Sequence, residues 1–317
     1  LLVEQHDFAK ATSSRSTKLV HGGVRYLQQG DVSMVVEALH ERGRLWRNAP
    51  HLVKDMRFII GNYRWWERPF YTIGLCCYDL LAGRLGLGRS LPLSKKQTLK
   101  ELPGLLHDHL RGGVVYHDGQ FDDSRMAITL MQSAHDHGAI CINYMKVTSL
   151  IKNDSGKFCG AALEDTLEGG TYEVNVKGVV NATGVYVDDI KQMDKPESRM
   201  KERPSQGVHI VVDAAFLGGN SALMIPKTRD GRVLFGVPWH GKAVLGTTDT
   251  PLNENSLEPK PLDEEIDFIL DQAGQYLTHK PKRSDVLSVF AGLRPLAAPT
   301  HSDSKKTKEI SRNHKIY

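Results

Sequence analysis

The stretch from 114 to 142 constrains this chain more than any other. Val114-Val115-Tyr116 is followed by DGQFDDSRMAITLMQSAHDHG and then by a second apolar run at 139–142. Between the runs, Ala127, Leu130, Met131 and Ala134 recur at the spacing of one helix face. Asp122 or Asp123 stands where an N-cap belongs, and Gly138 where a helix stops. Strand, helix and strand in that order predict a parallel α/β unit, because parallel neighbours need a crossover. Further short strands are predicted at 159–163, 172–176 and 178–180.

Upstream, residues 32–48 carry Val35, Leu39, Leu45 and Trp46 among Glu37, Glu41 and Arg44, which predicts an amphipathic helix. From 56 to 93 aromatics, arginines and apolar residues mix, and the reading is one or two helices broken at Pro69 and around Gly83 to Gly88. After Arg203 the texture turns β-rich. GVHIVVD, ALMIPKT and RVLFGVPWHGKAVLGTTDT are punctuated by Gly and Pro, as in an antiparallel sheet. Residues 263–277 read as a helix, and VLSVFAGLRPL as a strand meeting a turn.

A chain of 317 residues, 40% hydrophobic and 25% charged, has the material for about two domains. Its net charge of +4 is spread along the sequence, which argues against nucleic acid as a partner. The four cysteines, Cys76, Cys77, Cys141 and Cys159, form no CxxC pair, so neither a metal site nor a disulfide framework is expected and a reducing compartment is favoured. No run approaches the length of a membrane span.

Three polar motifs carry chemistry. TSSRSTKLVHGG, residues 12–23, packs five hydroxyls, a Lys, an Arg, a His and two glycines into twelve positions. Hydroxyls and backbone amides at such density suit a pyrophosphate or the edge of a flat ring, and Gly22-Gly23 allow a close backbone approach. The same composition also serves a capped surface loop. Glu4 closes the apolar run Leu1-Leu2-Val3, where a dinucleotide-binding unit places an acid on ribose, although no GxGxxG occurs and an ordinary surface acid is the plainer reading. Asn181-Ala182-Thr183-Gly184 follows an apolar run, as a small-residue approach to a cofactor or as a plain tight turn.

DFAKATSSRSTKLVHGGVRYL, EALHERGRLWRNAPHLV, NATG, GTTDT and GLRPL together resemble the FAD-dependent glycerol-3-phosphate dehydrogenases, along essentially the whole sequence. The resemblance implies an α/β (α+β) fold: a glutathione-reductase-like FAD-binding domain, with its Rossmann-type parallel sheet incomplete here, and an antiparallel-sheet substrate domain. The implied division is 1–55 and 114–200 for the FAD domain, 56–113 as a mainly helical insertion, 201–285 for substrate, and 286–317 returning to the FAD domain. FAD is the implied cofactor. Glu4 is expected on its ribose, and Thr12, Ser13, Ser14, Thr17, Lys18, Leu19, His21, Gly22 and Gly23 along its pyrophosphate and ring system. Val147 is expected at the adenine and Ala182, Thr183 and Gly184 over the cofactor.

The implied reaction oxidises sn-glycerol 3-phosphate to dihydroxyacetone phosphate and passes electrons to quinone. Arg25 and Arg294, with Arg312 beside them, are the implied phosphate ligands, because a guanidinium fork matches phosphate oxygens. Tyr26 and Thr248 are their hydrogen-bonding neighbours. His209 is the candidate base, since imidazole titrates near neutral pH, and a structural histidine in a strand is the alternative. Arg64-Trp65-Trp66, Arg68 and Phe70-Tyr71 fit a peripheral anchor on the cytoplasmic side of an inner membrane, or a helix packed on its own domain. A homodimer is left open. Rival readings are an oxygen-using oxidase of the same substrate, an amine or amino-acid oxidase, and a flavin-free interaction protein. The family's glycine turn would fall before residue 1 and its Gly-Gly-Lys segment after Tyr317, so this stretch alone is expected to bind FAD weakly and to be inactive.

Overall fold

The second half of β3 and most of β5 are buried on both faces, and that fact organises the molecule. The computed structural model describes residues 1–28, 30–197 and 202–297. Its strands are β1 (Leu2–Val3), β2 (Leu19–Val20), β3 (Val53–Asn62), β4 (Leu91–Ser94), β5 (Gly112–Phe121), β6 (Cys141–Ile142), β7 (Met145–Lys152), β8 (Phe158–Asp165) and β9 (Thr171–Asn175). They continue as β10 (Glu202–Asp213), β11 (Ala222–Ile225), β12 (Leu234–Trp239), β13 (Lys242–Gly246), β14 (Thr250–Pro251) and β15 (Ser288–Ala297). The helices are α1 (Val24–Gln28), α2 (Val32–Asn48), α3 (Glu67–Ala82), α4 (Lys95–Glu101), α5 (Asp123–Asp136), α6 (Val187–Asp194) and α7 (Asp263–Gly274).

Ten strands make one mixed sheet in the order β14-β10-β13-β12-β11-β3-β5-β2, with β15 on β10 and β4 on β5. Side chains alternate across it. Phe58, Ile60, Val114 and Tyr116 meet Val35, Leu39, Leu75 and Tyr78 of α2 and α3. Ile59 and Val115 belong to the opposite layer, with Leu102, Leu105 and the Ile266, Ile269 and Leu270 face of α7. Two covered faces explain why β3 reads as the continuous run Phe58-Ile59-Ile60 rather than an alternation.

Several expectations are corrected here. Val114-Val115-Tyr116 is the middle of the ten-residue β5, antiparallel to β3 from Val53↔Phe121 to Asn62↔Gly112. The stretch 114–142 is therefore not a parallel unit. Its second strand, β6, pairs instead with β1 in parallel, Leu2↔Cys141 and Val3↔Ile142. Asp118 and Gln120 concealed the strand, being poor β formers, yet both are buried and hydrogen-bonded. The segment 56–113 carries α3 and α4 but is not a separate insertion, because β3 and β5 at its ends and β4 between the helices join the same sheet as β10–β13. Pro69 sits in the first turn of α3, where a missing N–H is harmless, and does not break it. Residues 178–180 are not a strand, and Val180 is 90% exposed. The Gly-Leu-Arg-Pro stretch stays within β15, in register with β10 from Ser288↔Val211 to Ala297↔Glu202. Strands β7, β8 and β9 form a separate antiparallel sheet.

Candidate functional site

The hydroxyl-rich loop between β1 and β2 is held in a conformation that few sequences tolerate. Ala9, Ala11 and Lys18 have φ of 65°, 61° and 64°. Each non-glycine residue in that region costs on the order of 1–2 kcal/mol. Long-range contacts offset this. Thr12 Oγ1 donates to the Leu293 carbonyl at 2.6 Å and Arg15 Nη1 to the Ala291 carbonyl at 3.1 Å. Lys18 Nζ donates to Asp123 Oδ1 at 2.6 Å and to the Ser14 carbonyl at 2.8 Å. Ser16 gives Asp123 Oδ2 its N–H at 3.0 Å and its hydroxyl at 2.7 Å. Asp123, buried at the start of α5, is thus the anchor of the loop.

One cavity of about 270 Å³ lies beside this loop and brings together Glu4, Thr12, Ser13, Val147, Ala182, Thr183 and Gly184. The Glu4 backbone continues the β1–β6 pairing to Ile142 at 2.9 Å, and its Oε1 accepts from the His6 N–H at 3.0 Å. Asn181 Oδ1 accepts from the Thr183 hydroxyl at 2.7 Å, and Gly184 takes φ of 60°, so this turn is preset. An acid, hydroxyls and small residues around one cavity match what adenosine and pyrophosphate groups need.

A second cavity of about 190 Å³ gathers Thr17, His21, Gly23, Arg25, Tyr26, Thr248 and Arg294. Arg294 reaches across Gly207, where a Cβ would come within 2.3 Å of its Nη2, and donates to Thr247 Oγ1 at 3.0 Å. Its Nη1 stands 3.6 Å from Asp249. Arg232 is a third arginine on this wall that sequence reasoning missed. It pairs with Asp230, lies 5.2 Å over the Phe268 ring, and its buried Nη1 has no hydrogen-bond partner among the described residues. Asp118, also missed, closes the cavity as the buried partner of Arg42 at 2.6 Å, and accepts from the Tyr78 hydroxyl at 3.0 Å.

Other expected residues stand elsewhere. Ser14, Lys18, Leu19, Gly22 and His209 line neither cavity. Lys18 is engaged by Asp123, and the Leu19 side chain packs in the apolar core. Gly22 admits protein rather than a ring, since a Cβ there would come within 2.4 Å of Leu39 and 2.5 Å of the Tyr78 hydroxyl. The Thr248 hydroxyl already donates to Glu265 at 2.8 Å and accepts the Val208 N–H at 2.9 Å, so it has no proton left for a phosphate. Arg312 lies outside the described residues.

His209 is 2% exposed, with its ring stacked 4.8 Å from Phe290 and Nε2 at 2.8 Å from Thr17 Oγ1. Burial, then the nearby Arg294 and Lys18 cations, lower its pKa to about 3. This corrects the expectation of an imidazole titrating near neutral pH. His209 stays neutral and reaches the cavity only through Thr17.

Comparison with known proteins establishes the family. Residues 1–310 match the family described as FAD dependent oxidoreductase. The chain is 43% identical over 329 residues to the mitochondrial glycerol-3-phosphate dehydrogenase of Bos taurus, covering 99% of this chain and 45% of that protein. It is 38% identical to the mitochondrial glycerol-3-phosphate dehydrogenase of Schizosaccharomyces pombe, covering 100% of this chain and 52% of that one. The chain thus spans about half the length of the curated relatives it matches. The glycerol-3-phosphate dehydrogenase of Bacillus halodurans, solved with FAD, superposes with a TM-score of 0.74 at 34% identity, over 93% of this chain and 51% of that one. Glycine oxidase of Bacillus cereus, at 17% identity and a TM-score of 0.63 over 93% of this chain and 76% of that one, shares the fold. This chain belongs to the FAD dependent oxidoreductase family.

Proposed function

We propose that the intact protein oxidises sn-glycerol 3-phosphate to dihydroxyacetone phosphate with FAD and delivers the electrons to quinone at a membrane surface. The observation that carries this reading is the polar cavity in which Arg25, Arg232 and Arg294 share one wall system with Thr17 of the hydroxyl-rich loop. Glu4, Thr12, Ser13 and Thr183 would hold the cofactor. Bound FAD supplies a hydride acceptor for the alcohol carbon.

The chain's own residues do the rest. Arg25 and Arg294 offer guanidinium forks to the phosphate, and Arg232 adds a third cation whose Nη1 has hydrogen-bonding capacity left. Tyr26 and His21 narrow the space around the carbon chain. Thr17 faces the cavity with its hydroxyl fixed from behind by neutral His209, which makes His209 a positioning residue for that hydroxyl.

For the acceptor, the support is an apolar cavity of about 290 Å³ walled by α1 and α3. It shares Val24, Arg25, Met224 and Val233 with the polar one. For the membrane, the support is the outer side of α3 and its preceding turn, where Trp65, Phe70, Ile73 and Leu80 are 77%, 53%, 66% and 79% exposed. The test is anaerobic addition of sn-glycerol 3-phosphate to the full-length gene product while visible flavin absorbance is followed. Bleaching, with glycerol inert, is expected. A bound flavin that ignores the substrate would overturn the assignment, and hydrogen peroxide formed with turnover in air would replace quinone by oxygen.

A further inference from the structure

A cavity of about 390 Å³ lies at the end of β5, and it shares no lining residue with the cavities described above. Its volume falls within the roughly 300–1,000 Å³ typical of small-molecule sites. Lys54 of β3, Arg125 of α5, His51 and His240 reach it from separate segments. Among the described residues none of these four side chains is in an ion pair, and only His240 touches a ring, that of Trp239. The one carboxylate on the wall, Asp122, caps α5 by accepting the Arg125 N–H at 3.0 Å. Two fixed cations and two imidazoles therefore face a single acid that is already engaged, which leaves the space attractive to a polyanion.

The rest of the wall is Leu52, Phe121, Pro238 and Trp239 with one hydrogen-bonded glutamine, Gln120. Leu52 is buried, and Phe121 and Trp239 are half-buried. Gln120 Nε2 donates to the Pro238 carbonyl at 2.8 Å and so ties the β12–β13 hairpin to β5. The hairpin turns through His240 and Gly241 with φ of 45° and 74°, the two-residue turn that favours Asn or Gly at its first position. Here that position carries an imidazole, beside an indole 4.6 Å away. An aromatic wall next to a cation cluster matches a planar base joined to phosphates.

We propose that this cavity binds a nucleoside polyphosphate, with the base on Trp239 and Phe121 and the phosphates on Lys54, Arg125 and the two imidazoles. The test is calorimetric titration of the FAD-loaded full-length protein with ATP, inorganic tripolyphosphate and adenosine. One ATP per chain is expected, with tripolyphosphate about tenfold weaker or worse and adenosine weaker still. Lys54→Met and Arg125→Met should each weaken ATP by roughly tenfold or more, since each removes one charged hydrogen bond. Both side chains are exposed, and unchanged melting temperatures will show that the variants fold. Arg25→Met, in the other cavity, should leave ATP binding unchanged. Absence of saturable ATP binding, or ATP affinity indifferent to both substitutions, overturns the site. Equal affinity for ATP and tripolyphosphate overturns the role of the aromatic wall.

Discussion

Acidification should destabilise this protein through one histidine, and the size of the effect can be worked out. His209 is wholly enclosed between Thr17, Phe290 and the Gly246 backbone, and its pKa is lowered from 6.5 to about 3. In the unfolded chain the same imidazole takes up a proton near 6.5. Because the folded value is the lower one, the contribution of neutral His209 is complete above about pH 6.5 and is lost as the pH falls towards 3. Between those limits the slope approaches ~1.4 kcal/mol per pH unit for one proton. From pH 7.5 to pH 5 the loss from this residue alone is about 2 kcal/mol. His209→Gln keeps a polar group beside Thr17 but cannot take the proton. Urea unfolding of both proteins at the two pH values measures the difference. Wild type should lose about 2 kcal/mol more than the variant over that interval. Equal losses would refute the enclosed, neutral ring.

Two further outcomes follow from named contacts. Arg42 and Asp118 are each 2% exposed, so Asp118→Asn, which leaves a buried guanidinium without its counter-charge, should destabilise by about 3–5 kcal/mol. The double variant Arg42→Met/Asp118→Leu should recover part of that in thermal melts, since the buried Tyr78 hydroxyl still loses its acceptor. Trp65→Ala/Trp66→Ala should reduce flotation with anionic liposomes several-fold while leaving the melting temperature within a degree or two; equal flotation would remove this stretch as the anchor.

What the sequence revealed depended on whether the signal was local. The helix α2 was legible because its apolar face has the helical period; the structure adds an Asp31 cap that accepts the Met34 N–H at 3.2 Å. Strand β3 was not, because a run buried on both sides lacks alternation and sits beside aromatics that suggest a helix. The second half of β5 hid behind Asp118, whose partner Arg42 is 76 positions away. The same divide runs through the site. Arg25, Tyr26 and Arg294 stand in long motifs and do meet around one cavity. Arg232 stands in a turn, TRDGR, that looks like any charged surface loop until the fold brings it inward. Lys18 and Gly22 were legible as unusual residues but not in their roles, which are defined by Asp123 and Tyr78.

The hydroxyl-rich loop is closed by residues near the other end of the described chain. Thr12 and Leu293 are 281 positions apart, and Arg15 and Ala291 are 276 apart. A ribosome adds about 5–20 residues per second, so the loop emerges roughly 15–55 s before the strand that completes it. Asp123 can hold Lys18 and Ser16 once α5 has emerged, but Thr12 and Arg15 wait for β15. The two hydrogen bonds that tie this loop to β15 are therefore made late in synthesis. A nascent chain stalled before β15 carries the hydroxyl-rich loop without the Thr12 and Arg15 half of its latch.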